Sequence, residues 1–254
     1  YDYKAVGNGL VVEKTWPASD LEMMEKSVSE YIHKEPFHTY YLTISGHMQY
    51  SFTGNYIAWK NRHLVEDLNM SDQAKAYLAT QIELDRALEY LLDALEEAGV
   101  ADRTLVAVTS DHFPYGLEDE TINEFVGHPV EQNFELYENT FLLYTKNMEP
   151  ETITKPASSL DILPTLSNLL GLEYDSRLMM GRDIFSDSAP LVVFLNRSFM
   201  TDQGMYHSET EQFIPFDGPV SEEYIEYMKA TVQAKFYYSA KILETNYYRK
   251  VMDP

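Results

Sequence analysis

Residues 71–117 constrain the fold more than any other stretch of the sequence, because a long capped helix runs there into an uninterrupted apolar strand. Ser71 suits the N-cap, and the helix is expected to reach about Ala98. Ala74, Leu78, Ile82, Leu88, Leu91, Leu92 and Leu95 recur along one face. Gly99 stands where such a helix ends in a left-handed residue. After "ADRT" the chain enters "TLVAVTS", an apolar, β-branched run with almost no alternation. Such a run suits a central strand of a parallel sheet, covered on both faces. It stops abruptly at Asp111 and His112, and the turn-forming "FPYG" follows.

The rest of the chain repeats the alternation. Residues 20–32 predict a helix, with Leu21, Met24, Val28 and Ile32 at helical spacing and Ser19 or Asp20 as cap. "HTYYLTIS", residues 38–45, predicts a strand rich in Tyr, Thr and Ile, and a polar loop carrying His47 follows it. Residues 139–145 and 191–195 predict further strands. Residues 158–172 predict a short helix with Pro164 early, where the missing N–H is best tolerated. Residues 221–243 predict a long, Tyr-rich amphipathic helix. Strands alternating with helices predict an α/β fold, a sheet with helices on both faces. From about residue 185 the pattern is less regular and predicts a smaller subdomain, 186–254, built of a small sheet and the long helix.

In open parallel sheets, ligands bind beyond the carboxyl ends of the strands. Two strands here are expected to deliver polar groups there: one Asp111 and His112, the other His47. A carboxylate and an imidazole together suit a divalent cation, provided the backbone turns at His112 so that both side chains reach one point. The alternative for the pair is a hydrogen-bonded turn without a metal, and for His47 a solvated loop histidine. His33, His38 and His63 have no expected role, and His128, before Pro129, reads as a turn residue or a second pocket histidine.

Charge narrows the partners. With 41 acidic against 19 basic residues the formal net charge is −22, which repels nucleic acid and anionic lipid at long range. A phosphate or sulfate substrate would therefore need a cation in its pocket. The absence of cysteine removes disulfides, thiolate zinc sites and a Cys nucleophile. No apolar run approaches the roughly 20 residues of a membrane span. The opening "YDYKAVGNG" reads as mid-domain sequence, so a fragment of a longer protein is expected.

Three blocks carry a resemblance: "ADRTLVAVTSDHFPYG", "SSLDILPTLSNLLGL" followed by "LMMGRDIF", and "HTYYLTISGHMQYSF". Together, over about residues 16–202, they resemble the sulfatase branch of the alkaline-phosphatase superfamily, in particular lipoteichoic acid synthases and related phosphoglycerol transferases. The resemblance implies that residues 1–185 are the C-terminal part of a catalytic domain. It implies that Asp111 and His112 hold a divalent metal, Mn²⁺ or Mg²⁺, with Ca²⁺ expected for a sulfatase. It implies that His47 contacts the phosphate or leaving group, and that Asp161, Pro164 and Arg182 are structural. Residues 1–12 would be the tail of a substrate loop. Trp16 would sit on the pocket rim, a surface aromatic being the alternative.

What the family further implies is metal-assisted phosphoryl transfer through a covalent phospho-threonine. Its substrate would be a phosphate or sulfate ester, such as a glycerophospholipid or polyol phosphate. The nucleophile and the remaining acidic ligand are expected upstream, since residues 1–35 hold no copy of either, and the 254 residues alone are expected to be inactive. A membrane anchor is expected in that upstream portion, which places the catalytic domain on the extracellular face of the cell membrane. Two alternatives stand beside this reading. One is a sulfatase or phosphoethanolamine transferase. The other is a catalytically degenerate cell-surface binding protein, for which the 20 tyrosines would form a carbohydrate-facing surface rather than an ordinary core.

Overall fold

Residues 13–252 are described by a computed structural model; the expected substrate-loop tail, residues 1–12, lies outside them. They divide into two compact units, the first ending at Pro150 and the second beginning at Glu151.

The first unit contains α1 (Asp20–Ser27), α2 (Tyr56–Asn61), α3 (Asp72–Glu97), β1 (Val106–Thr109), α4 (Asp119–Val126) and β2 (Phe141–Tyr144). Helix ends follow local chemistry. Ser19 caps α1 by accepting from Glu22 N–H, and Ser71 caps α3 by accepting from Ala74 N–H. Gly99 takes the left-handed conformation just past α3, at φ +68°. The buried stripe of α3 holds Ala74, Ala76, Ala79, Thr80, Glu83, Ala87, Leu91 and Leu95. Leu78, Ile82, Leu88 and Leu92, expected in the core, are half-buried. Small residues line the N-terminal half because α2 approaches there, packing Ala58 and Val65 on Ala76 and Ala79. The C-terminal half packs on α1, where Met24 and Val28 meet Ala87, Leu91 and Leu95.

Two strand expectations need correction. Residues 38–45 form no strand: only Leu42 makes an isolated bridge, and the segment is extended. Its last two N–H groups are satisfied by a side chain instead, because the buried Asp20 carboxylate accepts from Ile44 (2.8 Å) and Ser45 (3.0 Å). Among the described residues β1 has no parallel neighbour; it pairs antiparallel with β2, Val106 opposite Tyr144 and Thr109 opposite Phe141. Val106 packs on the α1–α3 core, whereas Ala107, Thr109, Leu142 and Tyr144 are exposed.

The second unit contains α5 (Ile162–Leu169), β3 (Val192–Val193), β4 (Phe199–Met200), β5 (Gly204–His207), β6 (Gln212–Pro215), α6 (Glu222–Thr245) and α7 (Tyr247–Met252). The four strands form an antiparallel sheet in the order β3-β4-β5-β6. Phe199, Tyr206 and Leu191 of this region pack on Met228 and Val232 of α6. Ahead of α5 the Asp161 carboxylate joins two segments, accepting from Ser158 N–H (2.8 Å) and Arg182 N–H (2.7 Å). The mixed helix-and-sheet class read from the sequence therefore holds.

Candidate functional site

The polypeptide leaves β1 at Thr109 and turns at once. Tyr115 N–H donates to Phe113 O (2.8 Å) and Leu117 N–H to Pro114 O (2.9 Å), so the Pro and Gly of "FPYG" reverse the chain. The reversal brings the side chains of Asp111 and His112 to one place, Nε2 of the imidazole 3.5 Å from Oδ1 of the carboxylate. Both are exposed, the Asp111 side chain by 74% and the His112 side chain by 47%. The Tyr115 ring lies 4.6 Å from the imidazole, centroid to centroid.

Hydrogen bonding fixes what this pair offers. Nδ1 of His112 lies 2.7 Å from Phe113 O, and a carbonyl only accepts, so Nδ1 carries the proton. The neutral ring then presents the Nε2 lone pair towards Asp111. Two acceptors facing each other at this range attract only when a cation or a proton lies between them. A divalent metal ion meets that requirement, and an imidazole oriented by a backbone carbonyl is the usual form of a histidine ligand. The donor set is one oxygen and one nitrogen. Among the described residues no group of three or more His, Asp, Glu or Cys side chains gathers around one point. The pair thus fits a metal as a contributor to its coordination rather than as a complete site.

His47 is half-buried, on the loop after the extended segment. Its Nδ1 faces Met48 O at 2.8 Å, which again leaves Nε2 as the free ring nitrogen. The edge of Trp16 packs against this ring, centroids 5.2 Å apart, and Trp16 itself is exposed. The His47 loop touches the Asp111 turn at Gly116. A β-carbon there would stand 2.8 Å from Met48 Cβ and 3.2 Å from Tyr50 Cε2, so only glycine permits the contact. The three predicted residues thus stand on two loops in contact, with Asp111 and His112 paired directly.

Residues that hold these loops escaped the sequence reading. Tyr50 is buried and donates its hydroxyl to Gly46 O (2.9 Å). Burial pushes its phenol up to about 12, helped by the nearby Tyr77, Tyr115 and Asp111. Asn55 caps α2 through Ala58 N–H and donates to His47 O. Its only sequence signal was an asparagine ahead of "YIAW". Neither Asp161 nor Arg182 belongs to this site; both serve the joint described in the second unit. His128 pairs with Glu135 at 2.7 Å.

A cavity of about 230 Å³ opens elsewhere in the first unit, lined by Glu13, Glu22, Glu25, Tyr56 and Lys60 among others, and none of the three predicted residues lines it. Beside it the fully buried Glu83 accepts from Ser19, from Lys60 Nζ (2.8 Å) and from Asn61 Nδ2 (3.2 Å). Burial alone would raise the Glu83 carboxyl; the hydrogen bonds outweigh it and hold it below the usual range. With three glutamates on its wall this cavity disfavours an anionic substrate, whereas the Asp111–His112 turn becomes attractive to one once a cation is present.

Comparison with known proteins bears on the family of the chain. The family model described as "Sulfatase" matches residues 3–172. The lipoteichoic acid synthase-like protein YvgJ of Bacillus subtilis (strain 168) is 27% identical over 208 residues, covering 77% of this chain and 32% of the relative. The lipoteichoic acid synthase of Staphylococcus saprophyticus is 28% identical over 197 residues, covering 74% and 29%. The chain therefore spans about a third of the length of these curated relatives. In three dimensions it is similar to the lipoteichoic acid synthase LtaP of Listeria monocytogenes, with a TM-score of 0.72 and 20% identity over 96% of this chain and 63% of LtaP. At that identity the likeness is one of fold.

Proposed function

This chain belongs to the sulfatase family, and from that premise we propose that it is part of a metal-dependent phosphoglycerol transferase of the lipoteichoic acid synthase type. Relatives bearing that name support the transferase class. The observation that carries the reading is the Asp111–His112 pair, two acceptors 3.5 Å apart on a glycine-hinged turn, with the His47 loop packed against it.

Asp111 Oδ1 and His112 Nε2 would hold the divalent ion, Mn²⁺ or Mg²⁺. When bound, the ion supplies positive charge opposite the phosphate and favours the ionised form of a hydroxyl nucleophile. Everything else falls to the protein. Asp111 contributes negative charge, and His112 a neutral nitrogen oriented by Phe113 O. Protonated His47 gives a proton from Nε2 to the leaving oxygen as its bond to phosphorus breaks, and phosphorus bonds to the oxygen of an already ionised threonine side chain. That threonine is expected outside the 254 residues. An acceptor hydroxyl then gives its proton to the now neutral His47 as its oxygen bonds to phosphorus, and the phosphorus–threonine oxygen bond breaks. A glycerophospholipid or polyol phosphate suits this chemistry, and we place the reaction on the extracellular face of a membrane. No helix among the described residues is long and apolar enough to cross one.

Titration calorimetry with Mn²⁺ tests the reading. Heat of binding is expected from the chain and is expected to vanish when Asp111→Ala and His112→Ala are combined. Affinity should fall as the pH drops, because a ligating imidazole must be neutral. Heat that survives the double substitution would place the ion elsewhere. Absence of heat from a longer chain that also carries the upstream acidic ligand would return the family member to a non-catalytic surface module. Turnover of a phosphodiester by the 254 residues alone would show that the nucleophile lies within them.

A further inference from the structure

We propose that Asn55 is the positioning residue of His47, fixing the backbone and ring orientation through which Nε2 of the imidazole faces a phosphate ester. Asn55 is 1% exposed and uses both ends of its amide. Oδ1 accepts from Ala58 N–H at 2.8 Å and so caps α2. This fixes the orientation of the amide, because an N–H needs an oxygen opposite it. Nδ2 therefore points the other way and donates to His47 O at 3.0 Å. Capping alone does not select asparagine, since serine and aspartate cap about as well. The second bond needs a donor atom separate from the capping acceptor; an aspartate carboxylate has no donor, and serine has a single oxygen for both tasks.

The gripped group matters because of what it governs. The His47–Met48 peptide carries the torsions that decide where Met48 O stands relative to the His47 ring. Met48 O in turn accepts from Nδ1 and leaves Nε2 as the free ring nitrogen. The remaining bonds of the loop stop short of this peptide. His47 N–H donates to Ile44 O at 2.9 Å, and Tyr50 holds Gly46 O. The start of α2 also reaches the ring from its other side: Tyr56 N–H donates to Trp16 O at 2.9 Å, and Trp16 lies edge-on against the imidazole. One short stretch, Asn55 and Tyr56, thus secures both the histidine and the aromatic beside it. The inference takes only the role of His47 from the proposed function; the positioning itself stands on these distances.

The test uses Asn55→Ser and Asn55→Asp in the 254-residue chain labelled with ¹⁵N,¹³C-histidine, the His47 signals being assigned with His47→Gln. Both substitutions keep an acceptor for Ala58 N–H, so the melting temperature should stay within about 3 °C of the parent. The His47 ring nitrogens should move towards the tautomer-averaged position and its carbonyl signal should shift, while the other histidines keep theirs. Mn²⁺ affinity should stay within about twofold, as Asn55 does not touch Asp111 or His112. Ser71→Ala, which removes the cap of α3, should lower the melting temperature without moving the His47 signals. Unmoved His47 signals in both variants would overturn the proposal. So would unfolding of both, because the fold would then need the amide for itself. Failure of the functional reading shows separately, as missing Mn²⁺ heat in that longer chain alongside an intact His47 shift.

Discussion

Tyr50 ties the two loops of the site together, and its ionisation offers a direct handle on that contact. Its hydroxyl is spent on Gly46 O, and its ring meets Tyr77 edge-on, centroids 5.0 Å apart at 88°. Phenolate is disfavoured there by burial first, then by Tyr77, Tyr115 and Asp111, which together push the phenol from 10.0 to about 12. An unfolded chain releases this proton near pH 10, whereas the folded chain keeps it for about two pH units longer. The raised value therefore lends stability that is fully present below pH 10 and is lost as the pH rises through 12. Each pH unit between those limits costs about 1.4 kcal/mol, so the whole loss is roughly 2–3 kcal/mol. Tyr50→Phe should be less stable than the parent near neutral pH, where a buried carbonyl loses its donor at a cost of about 1 kcal/mol. Its stability should also fall less steeply above pH 10. Urea unfolding of both chains between pH 8 and pH 12 reads the difference, and parallel curves would refute it.

Among the elements, the joint between α5 and the segment after it depends on one position. A β-carbon at Gly181 would lie 1.9 Å from Leu160 O, which the turn ahead of α5 cannot move without losing the Arg182-to-Asp161 bond. Gly181→Ala is therefore expected to cost at least about 3 kcal/mol, seen as a lowered urea midpoint; a midpoint unchanged within error would mean that the joint yields freely. Several helix ends elsewhere were legible because caps are local: Ser19, Ser71, Ser221 and Gly99 each act on residues within one turn. Strand pairing was less so. The run at β1 announced an apolar strand but not its antiparallel partner, since a strand without alternation carries no mark of its neighbour's direction. Residues 38–45 have strand-forming composition, yet at their end the Asp20 carboxylate takes the Ile44 and Ser45 N–H groups that a ladder could use. Glu83 looked like one polar residue on a long helix, and its partners Lys60, Asn61 and Ser19 arrive from distant segments. The site divides the same way. Asp111 and His112 are adjacent and followed by turn residues, so their convergence could be read from composition. The grip of Asn55 on His47 and the contact at Gly116 arise only when separate loops meet.

For the molecule as a whole, the charge balance sets the terms on which both folding and substrate approach occur. Folding gathers 41 acidic side chains and only 19 basic ones into a compact volume, which costs self-repulsion that the extended chain largely avoids. Exposed pairs such as Lys229–Glu226 and Lys146–Glu96 return little in water. Salt weakens both contributions, but the repulsion acts over long distances and the pairs over short ones. Between about 10 mM and 150 mM NaCl the screening length falls from about 30 Å to about 8 Å. That range silences distant repulsion while leaving contacts within 4 Å mostly intact, so the melting temperature should rise over it and then level off. The same screening should speed the approach of an anionic phosphate ester, the reverse of an enzyme that attracts its substrate over long range. Calorimetric melting across that salt range decides the first point. A melting temperature that fell with salt would mean that the ion pairs, rather than the excess of carboxylates, dominate the electrostatics of this fold.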